Sequence, residues 1–203
     1  MPLNLTLIYG SVRTDRQGIK AARFLERAVS ERGHAATLID VKEHPLALLD
    51  RMFKEYPVGQ APTVLERLAS IIKASDGFLI VSGEYNHGIP PALKNLLDHF
   101  LEEWFYRPSA IACYSAGAFG GVRAAMQLRM TLAELGMASI PSLLPIPRVQ
   151  DAFTDDGTPT DERMHGWAKP FLDEFEWHAQ ALKDARAEGL PGQVRQGCKQ
   201  SGR

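Results

Sequence analysis

Apolar positions along this chain recur with two periods, and the two alternate. Residues 3–9 (LNLTLIY) are apolar and β-prone, and Gly10-Ser11 follows. From Gly18 to Ser30 the spacing turns helical, with Ile19, Ala22, Leu25 and Ala28 or Val29 on one side and Gly33 as a stop. Residues 35–41, 77–82, 109–114 and 138–146 read as further strands. Thr63–Lys73, a segment from Pro91 to Phe100, Phe119–Leu135 and about Asp161–Ala187 read as further helices. The run GFLIVS at 77–82 is continuous rather than alternating, which marks a strand buried on both faces. Pro141 and Pro145 suit a sheet edge better than its centre. The helix at 119–135 carries Val122, Met126, Leu128, Met130 and Leu132 as its apolar positions. The last helix carries Trp167, Phe171, Phe175 and Leu182, and Pro170 either kinks it or sets off a short first turn. Residues 42–61 are irregular; Met52, Phe53 and Tyr56 there either cover a ligand or pack under a long loop.

Strands followed by helices predict an α/β fold, a parallel sheet wrapped on both faces, in a single domain over residues 1–188. From Gly189 the chain is polar, Gly-rich and aperiodic, which predicts a disordered tail over 189–203. Composition then excludes classes. The 203 residues hold 23 Lys+Arg against 24 Asp+Glu, a net charge of −1 that gives no general reason to bind nucleic acid or an anionic membrane. No stretch of about 18 apolar residues suggests a membrane span. The start MPLNLTLIYG lacks the features of a secretory signal, so a soluble, cytoplasmic protein is expected. Cys113 and Cys198 are too few for a disulfide framework. His34, His44, His87, His99, His165 and His178 show no ligand spacing, so no metal is expected. Glu102 to Tyr106 form an aromatic cluster that reads as core or as a subunit contact.

In a parallel sheet of this kind the ligand lies beyond the carboxyl ends of the strands, which directs attention to three loops. Residues 10–18 (GSVRTDRQG) join a strand to a helix N-terminus, where free N–H groups and the helix dipole favour an anion. Ser11 and Thr14 add hydroxyls, and Arg13 and Arg16 add charge with bidentate reach to phosphate oxygens. The loop is neither a Walker A nor a G-x-G-x-x-G loop. Residues 82–91 (SGEYNHGIPP) place an acid, an aromatic and an amide after the most apolar strand. Such a loop offers main-chain donors and a plane to a flat heterocycle, or else packs Tyr85 over the core. His87 also lies in it. Residues 115–121 (SAGAFGG) leave bare backbone, suited to a ring or to a tight turn. Cys113 precedes Ser115 where a G-x-S-x-G elbow needs glycine, so that elbow is broken.

Together, G-S-V-R-T-D-R-Q-G at 10–18, G-E-Y-N-H-G-I-P-P-A-L-K-N-L-L-D at 83–98 and S-A-G-A-F-G-G-V-R-A at 115–124 resemble the NADPH-dependent FMN reductase family of flavodoxin-like proteins, over about residues 3–180. The second segment is the most specific, and it departs from the family only at its first position, where Gly83 replaces the usual proline. The resemblance implies a three-layer α/β/α sandwich with a five-stranded parallel sheet in the order 2-1-3-4-5. It implies FMN as cofactor and NADPH or NADH as co-substrate, with quinones, free flavin, azo compounds or chromate as small acceptors. It implies that Ser11, Arg13, Arg16, Gln17 and Gly18 hold the flavin phosphate. Glu84, Tyr85, Asn86 and Ile89 would line the isoalloxazine, mainly through main-chain groups, and Ser115, Gly117, Gly120 and Gly121 would border it. A homodimer or homotetramer is implied as well. Because the cofactor carries the chemistry, no obligatory protein acid or base is expected. A flavodoxin-like electron carrier is the second reading. It would more usually show a hydroxyl-rich phosphate loop and a strongly acidic surface. A non-catalytic flavin- or nucleotide-binding regulator is the third.

Overall fold

The computed structural model describes residues 1–191. In chain order the elements are β1 (Asn4–Tyr9), α1 (Gly18–Glu31), β2 (Ala35–Asp40), α2 (Thr63–Ala74), β3 (Gly77–Gly83) and α3 (Pro91–Asp98). They continue with β4 (Pro108–Tyr114), α4 (Val122–Glu134), β5 (Ala138–Ile146), α5 (Val149–Ala152) and α6 (Arg163–Glu188). All strand pairs are parallel and the order is β2-β1-β3-β4-β5, as the flavodoxin-like expectation had it. The run at 77–83 is buried throughout and sits at the centre, while the proline-bearing β5 is an edge.

Alternation along each strand sends side chains to two cores. Leu5, Leu7, Tyr9, Leu79 and Val81 meet Phe24 and Leu25 of α1 and Phe171 and Phe175 of α6. Ile8, Phe78 and Ile80 meet Leu68 and Ile72 of α2, Leu97 of α3 and Leu128 of α4. Each such Leu, Ile, Val or Phe side chain contributes about 1.5–3 kcal/mol by leaving water. Trp104 belongs to the second core. It is fully buried, stands edge-on to Phe78 at 4.8 Å and donates its Nε1–H to the Leu97 and Phe100 carbonyls. The centre of the 102–106 cluster is therefore core, with Tyr106 exposed at its end. Phe53 packs on Phe100 at 5.7 Å, and Phe53 and Tyr56 are half-buried against this core, so they pack under the long loop. At the far end of the sheet, Asp76 accepts from Lys183 Nζ (2.8 Å), Arg186 Nη2 (3.1 Å) and the Asn4 N–H (3.0 Å), which fastens α6 to β1.

Three expectations change. The fourth helix starts at Val122, not Phe119, because Gly120 and Gly121 both hold positive φ. Its buried stripe is Ala124, Ala125, Leu128 and Leu132, leaving Phe119, Met126 and Met130 exposed. In α6, Trp167 is half exposed, and the helix runs on through Pro170 without setting off a first turn. The tail expected at 189–203 lies, from residue 192 on, outside the described residues, and so does Cys198. Among the described residues no helix is long and apolar enough to cross a membrane.

Candidate functional site

All five strands end at one edge of the sheet, and there a cavity of about 320 Å³ opens. That is at the lower end of the range for small-ligand sites. Its walls come from the loop after β1 (Ser11, Arg13, Asp15, Arg16, Gln17), the end of β3 (Gly83, Glu84, Tyr85), the end of β4 (Tyr114, Ser115, Ala116) and the start of α5 (Val149, Gln150).

One wall is the N-terminus of α1. No side chain caps it and no acidic residue lies in its first turn, so its leading N–H groups and positive dipole end are left to another anion. Ser11 is buried beside it, with its Oγ 3.2 Å from Tyr85 Oη, which ties the first loop to the third. Arg13 is exposed at the mouth, held through its backbone N–H by Ser11 Oγ at 3.5 Å. Arg16 lines the cavity too, but its charge is engaged. Its Nη1 lies 2.5 Å from Asp40 Oδ1 and also donates to the Ser11 carbonyl. The strand register explains this pair, because Asp40 is the β2 partner of Tyr9 and so sits directly below the loop. Gln17 turns to Asp15. Gly18 is not a lining residue but a spacing residue, since a Cβ there would lie 2.2 Å from Tyr114 Cζ.

In the third loop, Glu84 bridges to α4. Its Oε2 accepts the backbone N–H groups of Arg123 (3.1 Å) and Ala124 (3.3 Å), and Oε1 pairs with Arg123 Nη1 at 3.3 Å. It thereby satisfies two of the N–H groups that every helix start leaves free. Tyr85 and Gly88 exchange backbone bonds of 3.1 and 2.8 Å around a two-residue turn. Asn86 (φ 49°) and His87 (φ 66°) form its exposed tip, away from the cavity wall. Both central residues at positive φ make this the primed turn of a tight hairpin, at some strain for His87. Ile89 packs against the α2–α4 core. In the fourth loop Ser115 lines the cavity and Gly117 is exposed beside it, its carbonyl accepting from Ser115 Oγ. Gly120 and Gly121 are buried under the start of α4. A Cβ on Gly121 would fall 2.7 Å from the Tyr114 carbonyl oxygen, so no other residue fits there without a shift. The loops therefore bring together Ser11, Arg13, Arg16, Gln17, Glu84, Tyr85 and Ser115. Asn86, Ile89, Gly18, Gly117, Gly120 and Gly121 stand outside the wall.

The profile of the NADPH-dependent FMN reductase family matches residues 3–151. The chain belongs to that family. It is accordingly an FMN-dependent NAD(P)H oxidoreductase, with the cofactor pair that the family resemblance implied. Among the relatives of this reductase are a Nectria protein described as NAD(P)H-dependent FMN reductase ntnL, 29% identical over 81% of this chain and 87% of its own. Another is a Pseudomonas putida quinone reductase, 28% identical over 85% of this chain and 90% of its own. Among solved structures, FerB of Paracoccus denitrificans, a flavoenzyme NAD(P)H:(acceptor) oxidoreductase, superposes with a TM-score of 0.68 at 25% identity, covering 87% of this chain and 98% of its own. A flavodoxin from Pseudomonas aeruginosa shares the fold, with a TM-score of 0.55 at 20% identity over 88% of this chain and 98% of its own.

The reductase's cavity fits the group its family uses. An uncapped helix start, a buried hydroxyl and an arginine suit a phosphate, and the glycine-bounded loops beyond them suit a planar ring. Six lining residues were not among the predicted site residues: Asp15, Gly83, Tyr114, Ala116, Val149 and Gln150. The signal for the last two was available, because an all-parallel sheet brings the end of β5 to the same edge as the others.

Proposed function

We propose that this reductase holds FMN with its phosphate at the N-terminus of α1 and its ring between the loops after β3 and β4, and that it reduces quinones. When bound, FMN takes hydride from NAD(P)H and passes electrons on to the acceptor. The carrying observation is the convergence in one cavity of an uncapped helix start, Ser11, Arg13, Tyr85 and Ser115. The acceptor class follows the reductases to which the chain is similar; free flavin, azo compounds and chromate are alternative acceptors for the same cavity.

The chain's own groups have defined tasks in this reading. The α1 N–H groups and Ser11 donate to phosphate oxygens, and Arg13 closes over them from the mouth. Tyr85 fixes the Ser11 hydroxyl, which aligns the phosphate loop with the ring loop. Glu84 fixes the ring loop to α4, so that wall keeps its place. The protein works as a cytoplasmic homo-oligomer, and the exposed Phe119 just before α4, with Met126 and Met130 on α4 beside the Gly88 turn, supports that face as the subunit contact. The test is the absorption spectrum of the purified protein, before and after anaerobic NADPH, followed by addition of a benzoquinone. A flavin band that bleaches with NADPH and returns with the quinone supports the reading. A band that NADPH leaves unchanged refutes it.

A further inference from the structure

Two tyrosines lie under the phosphate loop, and the function just described uses neither. Tyr9 ends β1 and Tyr114 ends β4, and both project to the α1 side of the sheet. Their rings stack with centroids 6.3 Å apart and 30° between planes. Tyr114 lines the cavity, and its ring fills the space that two glycines leave. A Cβ on Gly18 would come within 2.6 Å of Tyr114 Oη, and one on Gly83 within 3.1 Å. The Tyr114 hydroxyl therefore lies directly beneath the first residue of α1.

Tyr9 is fully buried, and its Oη has no hydrogen-bond partner among the described residues. Its polar neighbours are the Tyr114 and Ser11 hydroxyls, which favour its ionised form against the larger effect of burial. A buried hydroxyl left unpaired is costly, and native proteins rarely keep one without a use. Burial pushes the pKa of both phenols above the ordinary tyrosine value, so both stay protonated and able to donate. Charge at the loop is also scarcer than its sequence suggests, since Asp40 engages Arg16 and only Arg13 of the two is without an ion-pair partner among the described residues.

We propose that Tyr114 is a phosphate ligand and Tyr9 its positioning residue, with Tyr9 Oη donating to Tyr114 Oη and Tyr114 Oη donating to a phosphate oxygen of FMN. The orphaned Tyr9 hydroxyl gains its partner when the anion orients Tyr114. The proposal rests on the reading that the flavin phosphate sits at the start of α1.

The test uses the flavin-free full-length chain, titrated by flavin fluorescence with FMN and with riboflavin. Tyr114→Phe keeps the ring that packs on Gly18 and Gly83, and it weakens FMN roughly tenfold while leaving riboflavin unchanged. Tyr9→Phe weakens FMN by a smaller factor with the same selectivity, and it raises the melting temperature of the flavin-free chain because the orphan is gone. A structural role alone would lower affinity for both flavins equally. Equal losses, or a Tyr114→Phe protein with the full wild-type preference for FMN, overturn the proposal. A wild-type chain that binds FMN and riboflavin equally overturns the phosphate reading itself, and the proposal with it.

Discussion

Replacing Glu84 should cost stability by an amount the geometry sets. The side chain is 9% exposed and carries three interactions. Two are charge-assisted bonds from the Arg123 and Ala124 N–H groups to a single oxygen, Oε2. The third is the Arg123 pair through Oε1, and Arg123 is 39% exposed, so solvent screens much of its worth. Hydrogen bonds to a charged group are worth about 1.5–3 kcal/mol each, but water reaches a vacated helix start and recovers part of that. Glu84→Ala should therefore destabilise the protein by about 3 kcal/mol. Glu84→Gln places its amide oxygen at Oε2 and keeps both backbone bonds, but it loses the charge and turns an NH₂ toward Arg123; about 1–1.5 kcal/mol is expected. Arg123→Ala leaves both backbone bonds intact and should cost less than about 1 kcal/mol. Urea unfolding of the flavin-free proteins measures all three. If Glu84→Ala and Arg123→Ala prove equal, or Glu84→Ala falls below about 1 kcal/mol, the carboxylate is not what pins α4 to the β3 loop.

The two loop arginines should separate in their effects. Arg13→Ala weakens FMN about tenfold with little change in unfolding free energy, whereas Arg16→Ala leaves the buried Asp40 unpaired and lowers stability, so urea melts and flavin titrations rank them oppositely. Burial pushes the Cys113 thiol up to about 12, so in a Cys198→Ser protein native Cys113 should resist a thiol reagent at pH 8 and react only on unfolding. Because that pKa is raised in the fold, the stability it confers is full below about pH 9 and is lost as pH rises toward 12. Met130→Glu places a charge on the exposed α4 face and should lower the mass measured by light scattering; an unchanged mass would move the subunit contact elsewhere.

What the sequence disclosed, and what it hid, divides by range. The GFLIVS run reads as a strand buried on both faces because such burial needs apolar residues at nearly every position, and the structure puts it at the sheet's centre. The helix start after Gly10 reads as an anion site because strand, loop and helix are contiguous. Arg16 could not be read that way. Its partner Asp40 is 24 residues on, and only the Tyr9–Asp40 register of β1 with β2 brings them together. Glu84 likewise meets Arg123 and Ala124 only across the β3–β4 crossover. Met126 and Met130 look like core on an apolar count, but Ala124, Ala125, Leu128 and Leu132 already cover that face of the sheet, so the methionines are left outside. Tyr114 reads as one more β-prone residue until Gly18 and Gly83 show the space cut for its ring.

The charge balance of the chain takes its meaning from the same geometry. A total of 23 basic against 24 acidic residues conceals two arginines in one loop, and two arginines imply a strongly cationic phosphate site. Pairing alters that. Arg16 and Asp40 cancel at 2.5 Å, and exposed Asp15 stands near Arg13 in the same loop. What the proposed site leaves to meet a phosphate is one arginine, a helix end and neutral hydroxyls. The helix end and buried Ser11 are fixed by the fold and only weakly screened by salt, whereas Arg13 at the mouth is exposed to both water and ions. The proposed phosphate site would draw its selectivity from donors held in place by β1, α1 and β4, and position would contribute more to it than net charge does.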